Sequence, residues 1–115
     1  MGLFDRWRPT AVRAAVADRG ERTEVARAAR RHLEEFIRTR VGVEAYVEPP
    51  TAVLPSTVVL IATTGEWTRR RVPPGADVRD LGVPVYDVRL VGYPRRMREW
   101  NERARRGEVG PPDAS

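Results

Sequence analysis

The chain has 115 residues, with 21 arginines, no lysine, 16 acidic residues and a formal net charge of +5. It contains no cysteine, which excludes disulfides, thiolate catalysis, cysteine-bound zinc and iron–sulfur clusters. No apolar run approaches the ~18 residues of a membrane span, and no apolar signal core opens the chain, so the expectation is a single cytoplasmic domain.

Arginine is accompanied by abundant alanine, valine, proline and glycine, the residues of GC-rich codons. The distribution of the arginines therefore says more than their number. Residues 95–106 hold six of them against Glu99 and Glu102, and most of the charge imbalance lies there.

Residues 1–9 read as a flexible arm, with Leu3, Phe4 and Trp7 at helical spacing. A single α+β domain is expected over 10–106 and a disordered tail over 107–115. Thr10 can cap a short alanine-rich helix, and Asp18 with Glu21 has capping-box spacing. From Glu21 to Arg40 the pattern predicts a long helix, with Val25, Ala29, Leu33, Phe36 and Ile37 on one face and Glu34–Arg38 as an exposed pair. Gly42 stops it.

Val43 to Glu48 alternates, which predicts a half-exposed strand with Glu44, Tyr46 and Glu48 outward. Thr57 to Thr63 is the buried strand. Thr64-Gly65 marks a tight turn, and Trp67 to Val72 returns with Trp67, Arg69 and Arg71 on one face. Asp77 can cap a helical turn that ends at Leu81 and Gly82. Val83 to Val91 is predicted as a fourth strand at an edge, since Pro84 stands near its start. Gly92-Tyr93-Pro94 opens the last helix. The fold class is α+β: a four-stranded mixed or antiparallel sheet against a long N-terminal helix and a basic C-terminal helix, in the order α-β-β-β-short α-β-α.

In the last helix Met97, Trp100 and Ala104 share the docking side, and the arginines spread over the rest. Glu99–Arg103 and Glu102–Arg106 can stitch that surface together. The single histidine, His32, cannot build a multi-histidine metal site and reads as a boundary residue. Neither serine, Ser56 or Ser115, stands in a nucleophile elbow. There is no phosphate-binding glycine loop. The element order is that of the restriction-endonuclease-like fold, and in part that of the double-stranded-RNA-binding domain. The nuclease chemistry is missing, because the second strand has no acid, the third begins Glu66-Trp67-Thr68, and no lysine is present.

The segments Gly65-Glu66-Trp67-Thr68-Arg69-Arg70-Arg71-Val72-Pro73, Asp80-Leu81-Gly82-Val83-Pro84-Val85-Tyr86-Asp87 and Gly92-Tyr93-Pro94-Arg95-Arg96-Met97-Arg98 carry a resemblance. Through them residues 20–105 resemble a family of short uncharacterised actinobacterial proteins, some automatically labelled oxidoreductase. That resemblance implies no catalytic residue.

The residues themselves call for no cofactor and point to a non-catalytic binding module for nucleic acid or an acidic protein surface. Its anion-binding residues would be Trp67, Arg69, Arg71, Arg95, Arg96, Arg98 and Arg103. Two other readings stay open. One is an oxidoreductase enzyme or subunit with a pocket near Tyr86, Asp87 and Tyr93. The other is a structural subunit of a larger complex, docking through an exposed apolar patch that includes Leu3, Phe4 and Trp7.

Overall fold

A run of consecutive apolar residues in a strand needs cover on both faces. Val58–Ile61 forms such a run in β2 (Ser56–Ile61), which lies in the middle of the sheet. Val58 and Leu60 turn to one side, Val59 and Ile61 to the other, all at 1 % exposure or less. The computed structural model describes residues 23–50, 56–72 and 78–110, with the backbone of 113–114. The expectations for Thr10, for Asp18 and Glu21, for Asp77, and for Leu3, Phe4 and Trp7 lie outside these residues.

Helix α1 covers 23–39 of the described chain. Its Ala29, Leu33 and Phe36 are buried on one face of the sheet against Ala45, Val58, Leu60 and Val72, with Ile37 beside them. Val25, expected on the same stripe, is 59 % exposed. It lines an open groove beside Arg70 and Arg71 instead of reaching the core. The exposed ion pairs described within α1 are Arg27–Glu24 at 3.1 Å, Arg30–Glu34 at 2.6 Å and Arg38–Glu35, not Glu34–Arg38. Pairs this exposed contribute little to stability.

Strands β1 (Glu44–Glu48), β2 and β3 (Trp67–Val72) form an antiparallel meander. A 3-10 turn over Arg79–Leu81, closed by left-handed Gly82, then carries the chain across the α1 side. Val78, Leu81 and Val83 pack into that core, and Arg30 of α1 reaches Asp80 at 3.0 Å. Strand β4 (Val85–Asp87) pairs parallel with β1 at the far edge. The sheet is therefore mixed, and the domain is α+β.

Two expectations are corrected. The fourth strand does not run to Val91. The Asp87 carboxylate accepts from Arg89 N–H at 2.9 Å, caps the single turn α2 (Val88–Val91), and ends the strand. The tail expected to be disordered contributes Asp113–Ala114 as a fifth strand, β5, parallel to β3. The sheet order is β4-β1-β2-β3-β5. Helix α3 (Arg95–Arg105) covers the face opposite α1, where Tyr93 and Met97 close on Tyr46, Val59 and Ile61. No described helix is long and apolar enough to cross a membrane.

The turn between β2 and β3 sets how closely α3 can approach. Ala62 N–H bonds Glu66 C=O, and Gly65 N–H bonds Ala62 C=O, both at 2.9 Å. Gly65 takes φ +94°, and a Cβ there would stand 2.1 Å from the Arg96 carbonyl oxygen. Gly82 has a similar φ of +79° with open space around it. Both alanine substitutions incur backbone strain of ~1–3 kcal/mol, and only Gly65→Ala adds a backbone collision. Gly65→Ala is expected to lower the melting temperature well beyond Gly82→Ala. Equal losses would show that approach of α3 makes no demand on Gly65.

Candidate functional site

The side of the sheet that faces α3 is built from three cross-strand rows. Glu44, Ile61 and Trp67 form the first; Tyr86, Tyr46, Val59 and Arg69 the second; Glu48, Thr57 and Arg71 the third. Trp67 donates its indole N–H to Asn101 Oδ1 of α3 at 2.7 Å. The helix therefore seats on the first row. Arg69 and Arg71 remain exposed further along β3.

Alternation alone made Glu44, Tyr46 and Glu48 look solvent-facing, and the structure corrects this. Tyr46 is 6 % exposed, stacked on Tyr86 with ring centroids 5.3 Å apart and tilted against Tyr93 at 6.2 Å. Glu44 accepts from Arg96 at 2.6 Å, from the Tyr86 hydroxyl at 3.1 Å and from the Tyr46 hydroxyl at 3.4 Å. Burial pushes the Glu44 carboxyl up. The hydrogen bonds from Arg96, Tyr86 and Tyr46 and the Arg96 charge outweigh it, and the group lies below its ordinary value. The Tyr93 hydroxyl donates to Glu48. Burial, then the Glu48 hydrogen bond and charge, raise the Tyr93 phenol strongly, and the nearby Arg69 charge opposes them.

The expected anion-binding residues divide into groups. Arg96 is half-buried: besides Glu44 it donates through Nε to the Ala62 carbonyl at 2.9 Å. It is a fastener between α3 and the sheet. Arg95 pairs with Glu99 at 3.3 Å. Trp67 is committed to Asn101, so its ring is half-covered by α3. At 100° per residue, Arg98, Asn101 and Arg105 share the flank of α3 that turns toward Trp67. Arg98 donates to the Tyr93 carbonyl at 3.2 Å. Arg103 lies on the other flank, its guanidinium 5.6 Å from the Trp100 ring centroid. Arg69, Arg71, Arg98, Arg103 and Arg105 enter no ion pair among the described residues.

Arg69, whose charge acts on the Tyr93 phenol, and Arg98, which bonds the Tyr93 carbonyl, both lie beside Tyr93, and Arg71 is exposed two residues further along β3; Arg96 and Arg103 are engaged elsewhere. Arg105 is exposed on the same side of α3 as Arg98 by helical angle, and was not singled out in the sequence. The helical spacing 98–101–105 was the signal for it. The expected stitches Glu99–Arg103 and Glu102–Arg106 are replaced by Arg95–Glu99 and Arg106–Glu108.

The other face of β3 carries a separate polar link. Arg70 donates to His32 Nδ1 at 3.2 Å, and His32 Nε2 lies 2.6 Å from the Thr68 hydroxyl. Arginine can only donate, so Nδ1 accepts and Nε2 carries the hydrogen. His32 ties α1 to β3 through these two contacts. Of the residues expected around a pocket, Tyr86 and Tyr93 come together on Tyr46, while Asp87 is held by Arg89 as a helix cap. An apolar cleft of about 240 Å³ lies between α1 and the 3-10 turn, lined by Leu33, Val72, Val78 and Leu81. Among the described residues no three His, Asp or Glu side chains are placed to hold a metal ion.

No family model, curated protein or solved structure matches the chain.

The lowered Glu44 pKa has a defined consequence. A carboxyl depressed in the folded state stabilises it fully above the unfolded-state pKa, and that stabilisation is lost as pH falls through the folded value. Glu44→Gln should therefore melt below the parent chain at neutral pH, and the gap should close in acid below the ordinary glutamate range. A gap that stays constant into acid would contradict the Arg96–Glu44 pairing.

Proposed function

We propose that this protein is a non-catalytic, cytoplasmic binding module whose arginine surface takes an acidic segment of a partner protein. The observation that carries the reading is the arrangement of Arg69 and Arg71 on β3 with Arg98 on the adjacent flank of α3. These are exposed cations with no acid paired to them among the described residues. Within the C-terminal charge cluster Arg105 is likewise without an ion pair among the described residues, whereas Arg95, Arg96, Arg103 and Arg106 are engaged. Arg96 holds Glu44, Arg95 holds Glu99, and Arg106 holds Glu108.

Charge count favours a protein segment over nucleic acid. Neutralising three phosphates gives a salt slope of only about 2 to 3 in log affinity, too shallow for firm sequence-independent binding. The one aromatic side chain of the surface predicted to stack on bases, Trp67, is engaged by Asn101. An acidic protein segment needs no stacking platform and few cations, provided their geometry is fixed.

The test is capture from lysate by the tagged chain, with and without nuclease, using two charge-reversed variants. Arg69→Glu, Arg71→Glu and Arg98→Glu together should remove a nuclease-resistant protein partner and leave the melting temperature within a few degrees of the parent. Arg96→Glu should lower the melting temperature, because it breaks the contacts to Glu44 and Ala62. Capture of RNA or DNA that disappears with nuclease would overturn the acidic-protein reading. So would a partner that survives the triple reversal.

A further inference from the structure

An edge strand with outward backbone groups is a template for one more strand. β3 is the outermost long strand on its side, and beyond it only Asp113–Ala114 pairs, opposite Thr68 and Arg69. That pairing shows that this edge accepts a parallel strand. The hairpin closure fixes which groups of β3 point outward. Ala62 N–H bonds Glu66 C=O, so Thr68, Arg70 and Val72 direct their backbone groups to β2. Trp67, Arg69 and Arg71 direct theirs to the opposite side, where β5 pairs at Arg69. No described strand lies beside Arg71.

The two sides of this edge differ in chemistry. On the α3 side stand the Arg69 and Arg71 side chains, with no acid paired to them among the described residues. On the α1 side an open groove of about 610 Å³ runs along Arg70 and Arg71, floored by Val25, Ala28, Ala29 and His32. It explains the 59 % exposure of Val25, an apolar residue on an otherwise core-facing stripe. A strand laid along the edge would send alternate side chains to opposite sides. Those on the α3 side would meet Arg69 and Arg71, and those on the α1 side would meet a mostly apolar groove of valine and alanine bordered by His32 and Arg70.

We propose that the outer edge of β3 takes an extended partner segment of alternating acidic and apolar residues as an added parallel strand, replacing β5. This rests on the binding reading above and specifies the form of its partner. Acidic residues at every second position satisfy Arg69 and Arg71, and the residues between them fill the groove along α1. The same arginines reject basic strands by like-charge repulsion, so the edge is open to one class of segment and guarded against others.

The probe is a short, end-capped, fluorescein-labelled peptide alternating glutamate and valine, titrated with the full chain by anisotropy. A second peptide of the same sequence carries N-methyl groups on alternate residues, which keeps the charge and blocks backbone pairing. Arg71→Ala removes one cation. Arg71→Pro removes that cation and the outward N–H, and it leaves every β2–β3 bond in place. The expected result is binding by the parent chain, weakened several-fold in Arg71→Ala. A further loss of at least about tenfold is expected in Arg71→Pro and with the methylated peptide. The methylated peptide keeps the test decisive even where Arg71→Pro fails to fold. If the methylated and unmethylated peptides bind alike, attraction is by charge alone; strand addition is then overturned and the basic-surface reading stands. No binding of the glutamate–valine peptide to the parent chain also overturns strand addition. The broader reading falls separately, through the triple charge reversal.

Discussion

The five residues Ala62–Glu66, which turn β2 into β3, are held from both sides of the sheet by arginine. Arg40, just after α1, grips the Glu66 carboxylate with two hydrogen bonds of 3.1 and 2.9 Å and lies 4.6 Å from the Phe36 ring centroid. Arg96, from α3, bonds the Ala62 carbonyl and reaches across to Glu44 on β1. Between them Gly65 lets the α3 backbone approach to a distance that no side chain would permit. A forked, permanently charged guanidinium suits this work, because it can satisfy a carbonyl and a carboxylate at once. The clamp fixes the hairpin register, and with it the seat of α3 on the Glu44–Ile61–Trp67 row. The division between structural and uncommitted arginines follows from that seat.

Much of this fold is written in local pattern. Val58 to Ala62 is apolar without interruption because β2 has a helix-covered core on each face. The stripe Ala29, Leu33, Phe36 and Ile37 has helical period because it meets a flat sheet. Gly65 and Gly82 mark turns because their positive φ excludes most side chains. What local pattern did not convey depends on contacts far apart in sequence. Glu44, Tyr46 and Glu48 alternate like an exposed face. They are covered because Tyr86, Tyr93 and Arg96, roughly half a chain away, supply hydrogen bonds for two carboxylates in a half-buried layer. Asp87 reads as one more strand residue until its carboxylate is seen to cap the next turn. β5 was hidden because two residues carry no periodicity.

The charge surface shows the same limit. Six arginines within residues 95–106 read as one basic face, yet their roles depend on what each meets. Arg96 is structural, Arg95 and Arg106 have acidic neighbours, and Arg103 covers a tryptophan. Arg98 and Arg105 share a flank with the β3 arginines only because Asn101, between them, bonds Trp67. Net charge described the chain correctly as basic, and the sheet, not the helix alone, decides where that charge is uncommitted. The resulting surface joins an edge strand, a cationic side and an apolar groove. Each has an ordinary structural meaning alone, and together they match an extended, alternating acidic segment.

Amide hydrogen exchange along β3, resolved residue by residue by NMR, tests this account most directly. Arg70 and Arg71 are adjacent in the same strand, with backbone groups directed to opposite sides. The account predicts slow exchange at Arg70, bonded to β2, and fast exchange at Arg71, whose N–H faces an edge with no described strand beside it. An Arg71 amide as protected as that of Arg70 in the isolated protein would show that this edge is already closed, and would contradict the account.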